Sequence, residues 1–164
     1  MSSQAADFEE GGPVDGGDRL RLERQTCFRL YAASNLVTRL YRPHLDKMGL
    51  TYPQYLVMLV LWEETQQSVS QLGERLYLDS GTLTPLLKRL EASGFVERRR
   101  DPADERRVLI SLTERGRGLR AEADRMVTNL AEATCASASE LERFDAQLDH
   151  YINALFRRTV APNL

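Results

Sequence analysis

Thiols are the side chains with the most distinctive chemistry in this sequence, and its 164 residues include two of them. A thiolate is a nucleophile that peroxides oxidise to a sulfenic acid, which a second thiol can capture as a disulfide. Cys27 and Cys135 lie 108 positions apart, which excludes a CxxC metal site and a disulfide-dense secreted scaffold and indicates a reducing compartment. His44 and His150 are also far apart, so the local spacing predicts no metal site and no cofactor.

Charge is unevenly distributed along the chain. The net charge is −2, but residues 1–18 carry five acidic residues and no cation, whereas residues 80–120 carry ten Lys and Arg against six Asp and Glu. The acidic N-terminal segment therefore offsets the positive charge of residues 80–120 in the net charge, and a phosphate-binding surface is expected in that basic segment. The longest strictly apolar run has eight residues, too few for a membrane span, and the pattern of the first residues predicts no secretory leader. We therefore expect a cytoplasmic protein without a membrane partner.

These groups need elements that position them, and the hydrophobic pattern predicts a mainly α-helical chain with one small β-hairpin. Residues 1–17 contain five Gly or Pro and predict a disordered acidic tail. The first predicted helix begins at Asp18, and Pro43 ends or kinks it. It is followed by a buried helix from 52 to about 64, a short helix over 68–77 and a helix that is capped by Asp79 or Ser80 and runs to 93. After strands over 95–100 and 106–112, a long helix capped by Thr113 runs towards Cys135, and a last helix capped by Ser137 or Ser139 runs to about 158.

The order of short helix, capped helix and hairpin is the outline of a winged helix-turn-helix. Its second helix would lie in the major groove of DNA, and the hairpin tip would reach along the backbone or into the minor groove. The exposed positions of that helix suit this role: Ser80, Thr82 and Thr84 carry hydroxyls near its start, and Lys88 and Arg89 carry charge further along. The following hairpin is rich in arginine, including Arg99 and Arg106, so this combination predicts a DNA-binding protein.

The segments LDSGTLTPLLKRLE at 78–91, GFV at 94–96, DPADERR at 101–107 and ISLTERG at 110–116 resemble the MarR family of repressors, and the resemblance covers nearly the whole chain after residue 18. The resemblance implies a homodimer that binds a pseudo-palindromic double-stranded DNA operator. Its DNA-binding part would cover about 52–112, and its dimer interface would be made by helices at about 18–46 and 113–160, within one domain over 18–164. It also implies that Thr82, Thr84, Lys88 and Arg89 face the groove, that Asp104 braces the wing and that Arg106 enters the minor groove.

The front of the chain is similar to one branch of that family, the organic hydroperoxide resistance regulators. The matching segments are CFRLYA at 27–32, LYRP at 40–43 and LTYPQY at 50–55. The resemblance implies that organic peroxides oxidise Cys27, that hydroxyls of Tyr41 and Tyr52 bind its sulfur, and that Tyr31 lies near. It also implies that Cys135 is the second cysteine of a two-cysteine type.

Helix geometry places Cys27 and Tyr41 within roughly 40° on one face, but about 21 Å apart along a straight axis. They cannot touch inside one subunit, so any contact must join two first helices paired antiparallel at a two-fold axis.

We therefore predict a repressor that releases DNA when an organic hydroperoxide oxidises Cys27, and not an enzyme. One alternative is a repressor of the same fold that a small phenolic or antibiotic-like ligand releases. A second is a thiol peroxidase, although the sequence has no proline-threonine-cysteine motif.

Overall fold

The computed structural model describes residues 18–133 and 137–160. The predicted acidic tail over 1–17 and the second cysteine, Cys135, lie outside the described residues. The chain divides into two compact units, with the boundary between Gly116 and Arg117.

The described chain is mainly helical with a small antiparallel sheet, as the sequence predicted. The helices are α1 (Thr26–Met48), α2 (Tyr52–Glu63), α3 (Val69–Leu76), α4 (Ser80–Ala92), α5 (Glu114–Gly118), α6 (Arg120–Ala133) and α7 (Ala138–Val160). The strands are β1 (Gln66–Ser68), β2 (Val96–Asp101) and β3 (Asp104–Leu112).

The start of the first helix differs from the prediction. Two short 3-10 turns, Asp18–Leu20 and Leu22–Arg24, occupy the predicted first turns, so Asp18 does not cap α1. Gln25 holds an extended backbone with φ −82° and ψ 113°, and α1 begins only after it. The prediction was wrong here because it extended the helical pattern of the following residues back to Leu20 and Leu22, yet both side chains are exposed and no buried contact holds that turn.

The end of the first helix differs as well. Pro43 was predicted to end or kink α1, but the helix continues through it to Met48. Leu45 and Met48 are almost fully buried, so their burial offsets the backbone hydrogen bond that the proline removes. Gly49 then adopts the left-handed conformation at φ 70°, and the N–H of Leu50 donates to the carbonyl of Leu45, which closes the helix.

The second helix is deeply buried, as predicted. The N–H of Thr51 donates to Oε1 of Gln54 at 2.8 Å and so closes a capping box at the start of α2. Val57, Met58 and Leu61 have no exposed surface, because α2 is apolar on most of its sides.

The next two helices form the predicted helix-turn-helix. The Ser68 hydroxyl accepts from the N–H of Gln71 at the start of α3, and the Asp79 carboxylate caps α4. Between them Tyr77 takes the left-handed conformation with φ 54°. Leu72 and Leu83 are fully buried and anchor one helix each.

The hairpin is tighter than predicted, and the sheet has a third strand. Only Pro102 and Ala103 separate β2 from β3, because the predicted turn residues on both sides pair across the hairpin. The sequence pattern missed β1, which pairs with β3 through Gln66 to Ser111 and gives the strand order β1-β3-β2. Three polar residues show no period-2 alternation, yet Gln67 is buried in the sheet.

The long helix predicted from Thr113 is interrupted. Thr113 does cap its start, accepting from the N–H of Gly116 at 3.1 Å, but α5 ends at Gly118 and α6 begins at Arg120. Two glycines within five residues lower the helix propensity enough to allow the break. In the second unit α6 buries Ala123, Met126 and Leu130, and Ser137 caps α7 in a capping box with Glu140.

Candidate DNA interface and thiol site

The start of α4 holds three of the predicted DNA-contacting hydroxyls. Asp79 accepts from both the N–H and the hydroxyl of Thr82 at 2.9 Å, and these hydrogen bonds lower the pKa of its carboxyl, the backbone one most. The Thr84 hydroxyl donates to the carbonyl of Ser80 at 2.7 Å. Ser80 and Thr82 are exposed, but the Thr82 and Thr84 protons are already engaged within the helix. A contact in which either hydroxyl donates to DNA would therefore require it to rotate.

The predicted cations of α4, Lys88 and Arg89, are both exposed. Leu83, Leu87 and Leu90 bury the opposite side of the helix and fix which face remains free. This arrangement leaves an exposed basic surface on the second helix of the helix-turn-helix.

The wing tip is organised by one carboxylate. Asp104 accepts from the backbone N–H and from Nε of Arg106 at 3.1 Å, and from a second guanidinium nitrogen at 3.3 Å. These bonds lower the pKa of Asp104, with the guanidinium of Arg106 as the largest cause. The Arg106 side chain is 92% exposed, so it is oriented by Asp104 while its charge faces solvent. Arg99, on the neighbouring strand, pairs with Glu97 at 3.0 Å.

Sequence reasoning missed a second ion pair at this tip. Arg107 pairs with Asp101 at 3.6 Å, and Asp101 also accepts from the N–H of Ala103 in the turn. The sequence signal for this pair was that an acidic residue, Asp101 or Asp104, stands on each side of the two-residue turn, next to several arginines.

The thiol of Cys27 is free and exposed, and it belongs to the second residue of α1. Tyr31 follows one turn later and is 66% exposed. Because α1 is uninterrupted, Tyr41 lies about 21 Å further along the same helix. One protomer therefore does not bring Cys27 to Tyr41.

Three tyrosines meet where α1 packs against α2. The ring of Tyr41 lies 5.3 Å from that of Tyr52 and 5.8 Å from that of Tyr55, centroid to centroid, and Tyr52 lies 6.2 Å from Tyr55. We call these three residues the tyrosine cluster. Burial and the neighbouring Tyr41 raise the pKa of Tyr52, and burial raises the pKa of Tyr55 to about 12. The phenols of Tyr52 and Tyr55 therefore keep their protons at neutral pH.

The sequence analysis did not assign Tyr55 to the site around the thiol. Its position one turn after Tyr52 on an apolar helix was the available signal. Tyr55 extends the cluster along α2, because its ring lies 6.3 Å from that of Trp62.

Within the ranges 18–133 and 137–160, no group of three or more His, Cys, Asp or Glu is placed to hold a metal ion. No helix in the described part of the chain combines the length and apolarity needed to cross a bilayer.

Comparison with known proteins places this arrangement in a family. The sequence profile of the transcriptional regulator SarA/Rot matches residues 39–123. An organic hydroperoxide resistance transcriptional regulator of Bacillus subtilis is 45% identical over 141 residues, which cover 86% of this chain and 96% of the relative.

Solved structures agree. The reduced form of AbfR, a protein of Staphylococcus epidermidis, bound to DNA is 37% identical with a TM-score of 0.71, over 85% of this chain and 96% of that one. AbfR is also solved in a disulfide form, which is 38% identical with a TM-score of 0.60 and covers 83% of this chain and 96% of that one. A MarR C80S mutant of E. coli in complex with operator DNA is 27% identical with a TM-score of 0.72, and the match covers 80% of this chain and 97% of that one.

These relatives confirm the winged-helix fold and the predicted role in transcription. The chain is a DNA-binding transcriptional regulator that belongs to the MarR family, in which it groups with the organic hydroperoxide resistance regulators.

Proposed function

We propose that this regulator is a homodimeric repressor that leaves its operator when an organic hydroperoxide oxidises Cys27. The name of the Bacillus subtilis relative supports the inducer. Solved reduced and disulfide forms of AbfR support a thiol as the switch in a close relative.

The observation that carries the proposal is the contact between Tyr41 and Tyr52, with Cys27 on the same helix as Tyr41. The two rings meet at 5.3 Å although they come from different helices. Cys27 lies within roughly 40° of Tyr41 around α1, four turns away. Two copies of α1 paired antiparallel would bring Cys27 of one chain to the tyrosine cluster of the other.

The surface of α1 is suited to such pairing. Tyr31, Leu36, Val37 and Leu40 are each more than 40% exposed, which is a large apolar surface for one helix. Helix α7 exposes Leu141 and Phe144 in the same way. This exposed apolar surface supports a dimer made by the first and last helices, in which a second copy would bury these side chains.

The chemistry at the thiol is a two-electron oxidation. The Cys27 thiolate attacks one peroxide oxygen, an S–O bond forms and the O–O bond breaks. The sulfur becomes a sulfenic acid, and the departing alkoxide takes a proton and leaves as an alcohol. The thiol is oxidised by two electrons and the hydroperoxide is reduced by the same two.

Phenol hydroxyls of the partner chain assist this step as donors. Tyr52 carries its proton at neutral pH, because the pKa of its phenol lies above the ordinary value of 10, so it can donate to a thiolate and stabilise the reactive form. Tyr41 lies against it and completes the pair.

In a second step the Cys135 thiolate of the partner chain attacks the sulfenic sulfur. An S–S bond forms, the S–O bond breaks, and the oxygen leaves as water. A disulfide requires Cα atoms within about 7 Å, so closing the bond from a greater separation must move helices and the wings attached to them.

The operator is bound by α4 and the wing. Ser80, Thr82 and Thr84 would lie at the groove edge, with Lys88 and Arg89 along the groove. Arg99 and Arg106 on the wing would bind the backbone and the minor groove, and Asp104 would hold Arg106 in position. Two such units about 34–36 Å apart, or a multiple of that distance, match a pseudo-palindromic operator.

The decisive experiment measures operator affinity before and after one equivalent of cumene hydroperoxide, for the wild type and for Cys27→Ser. The proposal expects release of the wild type and retention of the variant. A Cys27→Ser protein that hydroperoxide still releases would exclude the thiol switch, and release of both proteins by a phenolic compound would favour the small-ligand alternative. Sustained consumption of peroxide with a thiol reductant would revive the peroxidase alternative.

A further inference from the structure

The tyrosine cluster continues into a residue that the switch described above does not use. Tyr55 and Trp62 are seven residues apart on α2, so they lie on one face two turns apart, and their rings are 6.3 Å from each other. Both side chains are buried, with exposures of 3% and 9%. A continuous aromatic path thus runs along α2 away from Tyr41 and Tyr52.

The far end of this path is hydrogen-bonded to the base of the wing. The indole Nε1 of Trp62 donates to the carbonyl of Gly116 at 3.0 Å, across 54 positions of sequence. A Cβ on Gly116 would lie 2.0 Å from the carbonyl oxygen of Phe95, so the two backbones are in direct contact. Phe95 immediately precedes β2, and Gly116 follows β3 by four residues.

Thr113 forms three hydrogen bonds at the same point of the fold. Its hydroxyl donates to the carbonyl of Gly94 at 2.6 Å, its N–H donates to the carbonyl of Phe95 at 3.1 Å, and its oxygen accepts from the N–H of Gly116. We call Gly94, Phe95, Thr113 and Gly116 the wing root. Both strands of the wing and the helix that leads to the C-terminal unit start or end there.

We propose that Trp62 is a positioning residue that couples the tyrosine cluster to the wing root, and that its hydrogen bond to Gly116 belongs to the DNA-binding state. This inference rests on the proposed thiol switch. Tyr55 contacts both tyrosines that would meet the reactive sulfur and also contacts Trp62, so a rearrangement around the sulfur has a packed route to the indole. A wing root tied to the core holds each wing at a defined position, which a dimer requires in order to match two half-sites.

A residue contributes to a switch only if its contacts differ between the two states. A hydrogen bond made in one state alone shifts the equilibrium between them by roughly fivefold. If the indole bond breaks on release, removing it must weaken the DNA-binding state and leave the released state unchanged.

Trp62→Phe tests this because it keeps a ring and removes the N–H. We expect the reduced variant to bind operator roughly fivefold more weakly and the oxidised variant to bind as the oxidised wild type does, so the ratio of the two affinities falls roughly fivefold. The rate at which cumene hydroperoxide consumes the Cys27 thiol should not change. Equal weakening of both forms, or of neither, would show a structural role only and overturn the coupling.

A second measurement needs no variant at residue 62, since Trp62 is the only tryptophan of the sequence. Its fluorescence emission should shift when the wild type is oxidised, at the rate of thiol loss, and should not shift in Cys27→Ser. Operator release with unchanged emission would overturn the coupling alone. An oxidised wild type that keeps its operator would overturn the thiol switch and the coupling with it.

Discussion

The rings of Tyr41 and Tyr52 meet edge to face, 5.3 Å apart and inclined at 76°, although one belongs to α1 and the other to α2. This contact joins α1, which carries Cys27, to the deeply buried helix α2. The first prediction concerns the hydroxyls of these two residues.

Tyr41→Phe and Tyr52→Phe each remove a hydroxyl and keep the ring, so packing is preserved. If the hydroxyls donate to the thiolate of the partner chain, the Cys27 thiol should react more slowly with cumene hydroperoxide at neutral pH. Thiol loss followed with a chromogenic reagent measures the rate. Tyr77→Phe, which removes a hydroxyl outside the tyrosine cluster, is the matched control, and identical rates in all four proteins would remove the tyrosines from the mechanism.

Lys88→Ala, Arg89→Ala and Arg106→Ala should each weaken operator binding and leave the dimer intact. Each lost phosphate contact lowers the slope of log affinity against log salt by about 0.9. A salt titration of operator affinity measures both quantities. Lys47→Ala, which removes an exposed cation in the last turn of α1, is the control, and unchanged affinity in all three test variants would mean that the DNA surface lies elsewhere.

Gly116→Ala should destabilise the protein, because a Cβ there would meet the Phe95 carbonyl oxygen at 2.0 Å. Overpacking of this kind costs roughly 1–3 kcal/mol in the free energy of unfolding. Urea denaturation at one fixed protein concentration measures the loss. Gly118→Ala is the control two residues away, where a Cβ has no neighbour within 4 Å, and it should gain up to about 1 kcal/mol in helix propensity. Equal stability of the two variants would contradict the close contact at the wing root.

Oxidation should link Cys27 of one chain to Cys135 of the other and give a covalent dimer on a non-reducing gel. Cys135→Ser should still lose its Cys27 thiol to peroxide, but it should migrate as a monomer and release DNA less completely. A link within one chain, or undiminished release by the variant, would leave Cys135 without a role in the switch.

Burial raises the pKa of Tyr55 to about 12, whereas an unfolded tyrosine ionises near 10. The unfolded state therefore loses its proton first as the pH rises. The stability from this buried phenol is fully present below about pH 10 and is lost as the pH rises towards 12. Denaturation at several alkaline pH values should show a shallower decline in Tyr55→Phe than in the wild type. An equal decline in both proteins would show that Tyr55 ionises as freely in the folded state as in the unfolded one.

Local chemistry explains what the sequence alone determined. Asp79 caps α4 through an N–H only three residues away, so short spacing was enough to predict this cap. The same is true of the buried helix after Thr51 and of the hairpin. The bracing role of Asp104 was implied by the resemblance to the MarR family, and its carboxylate binds Arg106 two residues away. The segment from Leu78 to Glu91 belongs to the motifs by which the sequence alone indicated the family.

Tertiary structure decided the rest, because the forces involved act between residues that are distant in sequence. Pro43 remains inside α1 because Leu45 and Met48 find a core to enter, and that core is invisible to a local pattern. The polar strand β1 exists only because β3 offers it hydrogen-bond partners more than forty residues later. Trp62 and Gly116 are 54 positions apart, so no local pattern predicts their hydrogen bond. It exists because the fold brings a buried indole N–H, which needs an acceptor, to the carbonyl of Gly116.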